Sequence, residues 1–163
     1  MDELVVRHAG PEDRGRITEV LLRSWGSTTV VAHGVRYDAA DLPALVAERA
    51  GRVAGILTYA IGVDGFEVVT LDAVERYAGV GTALLDAASE VASANGLERI
   101  WLITTNDNVD ALRFYQRRGM RIVGVNPGAV DEARMLKPAI PLAGAHGIEI
   151  HDEIVLAKRL PRR

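Results

Sequence analysis

The chain has 163 residues, 48% of them hydrophobic and 25% charged, which is enough to fill one domain core. A formal net charge of −3 argues against a nucleic-acid binder, whose domains carry a basic excess. The absence of cysteine removes disulfides, thiolate metal sites and a cysteine nucleophile, and fits a reducing, cytoplasmic setting.

Residues 4–7 read as a first strand. Pro11 opens a helix, with Glu12 and Asp13 in the first turn, where negative charge suits the helix dipole. Ile17, Val20, Leu21 and Ser24 recur at helical spacing and predict one buried face, ended by Trp25-Gly26. Residues 27–43 have no sustained period; a short strand at 29–32 and a turn at Asp41-Leu42-Pro43 are the only signals. Residues 45–50 and 53–61 predict a hairpin about Gly51-Arg52, and Asp64-Gly65 turns the chain into a third strand at 66–71. A helix is expected from Gly79 to Ala94, with Val80, Leu84, Ala87, Ala88 and Val91 on its buried face and Asn95-Gly96 as its stop. Residues 99–105 form an apolar, β-branched run that reads as a central parallel strand. Asn108 caps a helix over 109–118, and Gly119 ends it. A strand at 121–125, a turn at Asn126-Pro127-Gly128, a helix at 130–136 and a last strand at 150–160 complete the chain. Neither a signal peptide nor an apolar run of ~20 residues is present, so no membrane association is expected.

The segment from Glu75 to Leu85 carries the most chemistry. It joins a strand to a helix through Gly79 and Gly81. The first amides of a helix have no partners within it, the dipole favours negative charge there, and glycines let a ligand approach the backbone. A phosphate-containing cofactor is therefore expected. A dinucleotide fold would place a third glycine where Leu84 stands and an acid after the next strand, which instead ends in Thr104-Thr105. A P-loop would need a lysine after the glycines, and none follows.

Two motifs together resemble the GNAT superfamily of acetyl-CoA-dependent N-acetyltransferases. Arg76-Tyr77-Ala78-Gly79-Val80-Gly81 matches that family's Q/R-x-x-G-x-G/A loop. Asn106 to Met120 matches its second segment, roughly N-x-x-A-x-x-x-Y-x-x-x-G-F, with Met120 in place of the usual Phe. Ala78 stands where Arg or Lys is common, which removes one cationic contact. The resemblance implies an α/β (α+β) fold with a mixed, mostly antiparallel central sheet flanked by helices. It also implies splayed central strands, in a single N-acetyltransferase domain over 1–163. Acetyl-CoA would be the acyl donor, with its pantetheine arm on the backbone of Leu71, Asp72 and Ala73. Its diphosphate would lie on Arg76, Tyr77, Ala78, Gly79, Val80, Gly81, Thr82 and Ala83, with Asn108 and Ala111 beside the arm. By match to the motif tyrosine, Tyr115 would stabilise the leaving thiolate.

The general base is not selected by spacing. Glu67 is a candidate on the strand before the loop, placed by period-2 counting on the face of Val69 and Leu71. His33, His146 and His151 are others. No His or carboxylate spacing suggests a metal. Segments 26–43 and 127–152 are expected to select the amine acceptor, with Lys137-Pro138-Ala139-Ile140-Pro141 as a rigid extended wall. A homodimer through the last strand is compatible with the family. Two readings compete with acetyl transfer to a primary amine: a catalytically silent acyl-CoA sensor and a dinucleotide oxidoreductase.

Overall fold

In the computed structural model, which describes residues 2–75 and 79–162, the apolar alternation read from the sequence becomes nine strands and four α-helices among the described residues. The strands are β1 (Leu4–His8), β2 (Thr29–Ala32), β3 (Val35–Asp38), β4 (Ala44–Arg49), β5 (Arg52–Gly62), β6 (Gly65–Ala73), β7 (Arg99–Thr105), β8 (Arg121–Asn126) and β9 (Glu153–Arg159). The helices are α1 (Arg14–Trp25), α2 (Val80–Ala94), α3 (Val109–Arg117) and α4 (Ala129–Leu136). Two units are distinguished: Met1–Val30, Asp38–Ile100 and Leu160–Arg163 form the first, and Val31–Tyr37 with Trp101–Arg159 the second.

In the first unit β1, β4, β5 and β6 lie side by side in that order, all antiparallel. Side chains alternate across the sheet, so Gly55, Leu57 and Tyr59 share one face and Ile56, Thr58 and Ala60 the other. Helix α2 covers the first face, with Val80, Leu84 and Ala88 fully buried at i, i+4 and i+8. Leu85 and Ala92 are buried as well, whereas Ala87 and Val91 are half-buried, so the buried stripe is rotated slightly from the one the spacing predicts. Helix α1 serves the other face through Ile17, Val20 and Leu21. Ser24, expected on its buried face, is exposed. The chain beside Pro11 is a short 3₁₀ turn, Pro11–Asp13, and the α-helix starts only at Arg14.

Strand β1 is tied to that turn by charge. The Arg7 guanidinium bonds both Asp13 oxygens at 2.7 and 2.8 Å and Glu48 at 2.7 Å. With the Gly10 amide also donating to it, the Asp13 carboxyl is held down to about 2, chiefly by its hydrogen bond from Arg7.

In the second unit β8 pairs antiparallel with β9, residues 101–105 of β7 lie on the far side of β9 from β8, and α3 packs on β8. The stretch read as irregular contains a strand the sequence did not announce. β2 and β3 form a two-stranded ribbon turning at His33-Gly34. Every residue of β3 is exposed or half-buried, which is why no apolar period marked it. The last strand starts at Glu153, three positions after the expected start. Among the described residues no helix is long and apolar enough to cross a membrane.

The fit of α2 on the sheet rests on Gly55. A Cβ there would stand 2.5 Å from Val80 Cγ1 and 2.8 Å from the Asp72 carbonyl. Gly55→Ala should therefore overpack this contact and cost about 1–3 kcal/mol, lowering the melting temperature by roughly 2–4 °C for each kcal/mol. Urea and thermal denaturation measure this directly.

Candidate active site

Strand β6 delivers the chain to the start of α2. Its pairing with β5 continues through Leu71, Asp72 and Ala73, opposite Leu57, Ile56 and Gly55. Arg76, Tyr77 and Ala78 lie outside the described residues. Gly79 then takes a left-handed conformation, φ 77, as the N-cap of α2. A glycine cap supplies no side-chain acceptor, and the first turn, with Val80, Gly81, Thr82 and Ala83, holds no charged side chain. The turn thus presents backbone amides and the positive end of a helix of 15 residues, and its cap residue Gly79 contributes no side chain to them.

Glu67 is buried, at 4% exposure, but not on the face that period-2 counting gave it. Thr58 pairs with Thr70 and Tyr59 with Val68, so Val69 is an extra residue in β6. This β-bulge shifts the alternation. Glu67 pairs with Ala60 and therefore shares the face of Thr58 and Thr70, away from α2, while Leu71 shares the opposite face with Val68 and Phe66. The Tyr59–Phe66 stack, with centroids 4.5 Å apart, agrees with this register. Thr58 and Thr70 bond each other through their hydroxyls at 2.6 Å. Asp72 lies two residues further along the same face and accepts the Trp25 indole N–H of α1 at 3.0 and 2.9 Å. Burial pushes its carboxyl above the ordinary value, and the indole hydrogen bond only partly opposes that. One face of β5 and β6 thus carries Glu67, the threonine pair and Asp72 in a row.

In the second unit Asn108 caps α3, its side-chain oxygen accepting the Ala111 amide at 3.2 Å, as its position predicts. Tyr115 is the buried residue of α3, at 9% exposure. Its ring meets Phe114 edge-on at 5.2 Å, and Arg118 covers the other aromatic at 3.7 Å from the Phe114 centroid.

The two residues before Asn108 hold the segment that follows α4. Asn106 accepts the amides of His151 and Asp152 at 2.9 and 3.0 Å and donates to the Glu149 carbonyl at 2.8 Å. Asp107, 7% exposed, accepts the Ala145 amide at 3.0 Å and the Thr105 hydroxyl. Gly144 sits so close that a Cβ would collide with the Asp107 carboxylate. Arg134 donates to the Pro141 and Ile150 carbonyls at 2.6 and 2.7 Å. Residues 137–141 are consequently not the extended wall expected. The Ile140 amide folds back on the Lys137 carbonyl at 3.2 Å, and Arg134 braces the resulting turn. Spacing gave no hint of these roles, because Asn106, Asp107 and Arg134 each meet backbone groups well removed in sequence.

The histidines separate clearly. His151 is exposed between Asp131, 2.9 Å from its Nδ1, and Glu149, 3.4 Å from its Nε2; hydrogen bonds to the two carboxylates raise its imidazole above the usual value. His146 is exposed in a tight turn at φ 58. His33 occupies the turn of the β2–β3 ribbon. Among the described residues no group of three or more His, Cys, Asp or Glu is placed to hold a metal ion.

Residues 15–120 match the model of the "Acetyltransferase (GNAT) family". Two proteins of Bacillus subtilis (strain 168) are similar over most of their length. The uncharacterized protein YdhI is 42% identical over 144 residues, spanning 87% of this chain and 89% of YdhI. The uncharacterized protein YxbD is 39% identical over 139 residues, spanning 85% and 87%. Among solved structures, the Bacillus subtilis acetyltransferase in complex with CoA superposes with a TM-score of 0.78 at 20% identity, covering 98% of this chain and 100% of that one. The IAA acetyltransferase from Bacillus cereus ATCC 14579 gives 0.76 at 21% identity, covering 97% and 100%. At such identities the structural likeness is one of fold.

Asn106→Ala should leave the His151 and Asp152 amides without their acceptor and cost about 1–3 kcal/mol. Hydrogen exchange should show the loss as faster exchange concentrated in residues 143–152, with the β5–β6 amides unchanged.

Proposed function

Since the chain belongs to the GNAT acetyltransferase family, we propose that it transfers an acetyl group from acetyl-CoA to a primary amine, by direct attack within a ternary complex. The observation that carries this reading is the first turn of α2. It offers amides and a positive dipole end with a glycine in place of a capping side chain. A diphosphate fits that need, because its oxygens accept several backbone N–H groups at once. The CoA complex of the Bacillus subtilis acetyltransferase, which shares the fold, supports the same cofactor here.

We assign the diphosphate to Gly79, Val80, Gly81, Thr82 and Ala83, with Arg76, Tyr77 and Ala78 completing the loop. The pantetheine arm lies along the backbone of Leu71, Asp72 and Ala73 as an added strand would, and Asn108 and Ala111 border it. The amine nitrogen attacks the thioester carbonyl carbon. The C–S bond then breaks and its electron pair leaves on sulfur. Tyr115 donates a hydrogen bond to that sulfur. A phenol near pKa ~10 and a thiol near ~8.5 differ by about 2 kcal/mol, so complete proton transfer to the thiolate is uphill and a shared proton is favoured. Glu67, buried on the Thr58/Thr70 face, is retained as a candidate base for the amine. Holding both reactants in line supplies much of the acceleration, since effective molarities reach ~10⁵ M or more. The residues act as one N-acetyltransferase domain.

Calorimetry with acetyl-CoA and thiol release over a mixed amine panel test this reading. Saturable acetyl-CoA binding with amine-dependent thiol release is expected, and Tyr115→Phe should lower kcat by about 10- to 100-fold while leaving acetyl-CoA affinity unchanged. Binding with no thiol release from any amine would instead identify an acyl-CoA sensor, and the absence of binding would remove both readings.

A further inference from the structure

Helix α1 meets the sheet of the first unit along Ile17, Leu21 and Trp25, which recur at i, i+4 and i+8. The first two are 5% and 0% exposed, whereas Trp25 ends the stripe at 44%. A large ring on a sheet-facing stripe is ordinarily covered. This one is held in a single direction instead. Its indole N–H donates to both carboxylate oxygens of Asp72, at 3.0 and 2.9 Å, so the polar edge of the ring points at β6 while much of its apolar surface stays open.

Asp72 is unusual in its turn. It is half-buried, and the donors that reach it among the described residues are uncharged: the Trp25 indole and the Ser24 hydroxyl. Asp13, Glu48 and Glu75 of the same unit each face an arginine. A carboxylate drawn out of water and given only neutral donors lacks a counter-charge, and burial accordingly pushes the Asp72 carboxyl up. Two donors also leave about half of its roughly four acceptor sites unused. A carboxylate in want of a cation, beside an open indole face, is the pairing that recognises an organic ammonium group. One side offers charge-assisted hydrogen bonds and the other a cation–π contact. Ser24, Trp25 and Asp72 all belong to the first unit.

We propose that Asp72 and Trp25 form the acceptor subsite, in which the Asp72 carboxylate holds the ammonium group of a cationic primary amine and the open indole face packs along the carbon chain that carries it. This rests on the acetyl-transfer reading above, which lays the pantetheine arm along the backbone of Asp72 itself, and it adds the group that selects the acceptor. The backbone of this residue meets the donor while its side chain meets the acceptor, so one strand position brings the two reactants together. Asp72 binds and orients the cation. The proton that must leave before the nitrogen can attack belongs to the candidate base of the transfer reading. Alcohols carry no charge and are not held.

Asp72→Asn has the same shape and still accepts the Trp25 N–H, so it removes the charge and keeps the tie between α1 and β6. Thiol release would be measured with benzylamine, agmatine and a lysine-containing peptide, alongside acetyl-CoA calorimetry and thermal melting. The expected result is a KM raised about tenfold or more for the amines that turn over, with kcat within a few-fold of wild type and acetyl-CoA affinity unchanged. The chain has two tryptophans, so the indole N–H signals of isotope-labelled wild-type protein loaded with CoA give a second reading. Benzylamine should shift the signal that Trp25→Phe removes, and benzyl alcohol should leave it in place. A KM within twofold of wild type in Asp72→Asn, or a Trp25 signal unmoved by saturating benzylamine, would overturn the subsite while acetyl transfer stands. Wild-type protein that binds acetyl-CoA yet releases no thiol with any of the amines would defeat the transfer reading itself and this subsite with it.

Discussion

How closely α2 descends onto β5 governs the chemistry of the first unit. The helix packs through Val80 and Leu84 against a strand position that has no side chain, and Gly55 is what permits the approach. Because Val80 is the first helical residue, this packing also fixes where the helix begins. The amides of that first turn have Gly79 as their cap, a residue that supplies no side chain of its own. A capping Ser or Asp would have stabilised the helix by about 1 kcal/mol, yet it would have filled the place an anion needs. Local stability is thus given up at the position where a ligand can restore it.

The extra residue in β6 has a comparable effect on side-chain chemistry. A regular strand would have put Glu67 among the apolar residues facing α2. With Val69 inserted, Glu67 falls instead in line with Thr58, Thr70 and Asp72. Buried polar side chains are tolerated when they find partners, and each member of this row has one. The threonines bond each other, Asp72 accepts the Trp25 indole, and Glu67 is likewise engaged. A polar row on one face of an otherwise apolar sheet marks that face as the one where chemistry is affordable.

The second unit relies on polar side chains that serve distant backbone. Asn106, Asp107, Arg134 and Glu153 each meet amides or carbonyls well removed in sequence, and three of these four are acceptors for N–H groups in loops. Such bonds do for irregular segments what ladders do for strands. They satisfy the backbone and give a loop one shape. The same device at Glu153 meets the backbone N–H of His33 in its left-handed turn.

Much of this was legible from residue order alone. The Asn108 cap and the placing of α2 and α3 follow from short-range rules: a strand's period, a helix's orphan amides, a cap's reach of three residues. Those interactions are complete within one turn or one hairpin, so the sequence states them. It could not state the bulge at Val69, because a one-residue insertion leaves the apolar pattern readable in either register until a partner strand chooses one. Nor could it give Asn106 and Asp107 their anchoring roles, since their partners lie as far away as His151 and Ala145 and are brought near only by the fold. What the sequence determined is the element order and the glycine that caps α2; what the tertiary structure alone decided is which face Glu67 occupies and how Asn106 and Asp107 hold distant backbone, because both depend on contacts between segments that no local rule connects.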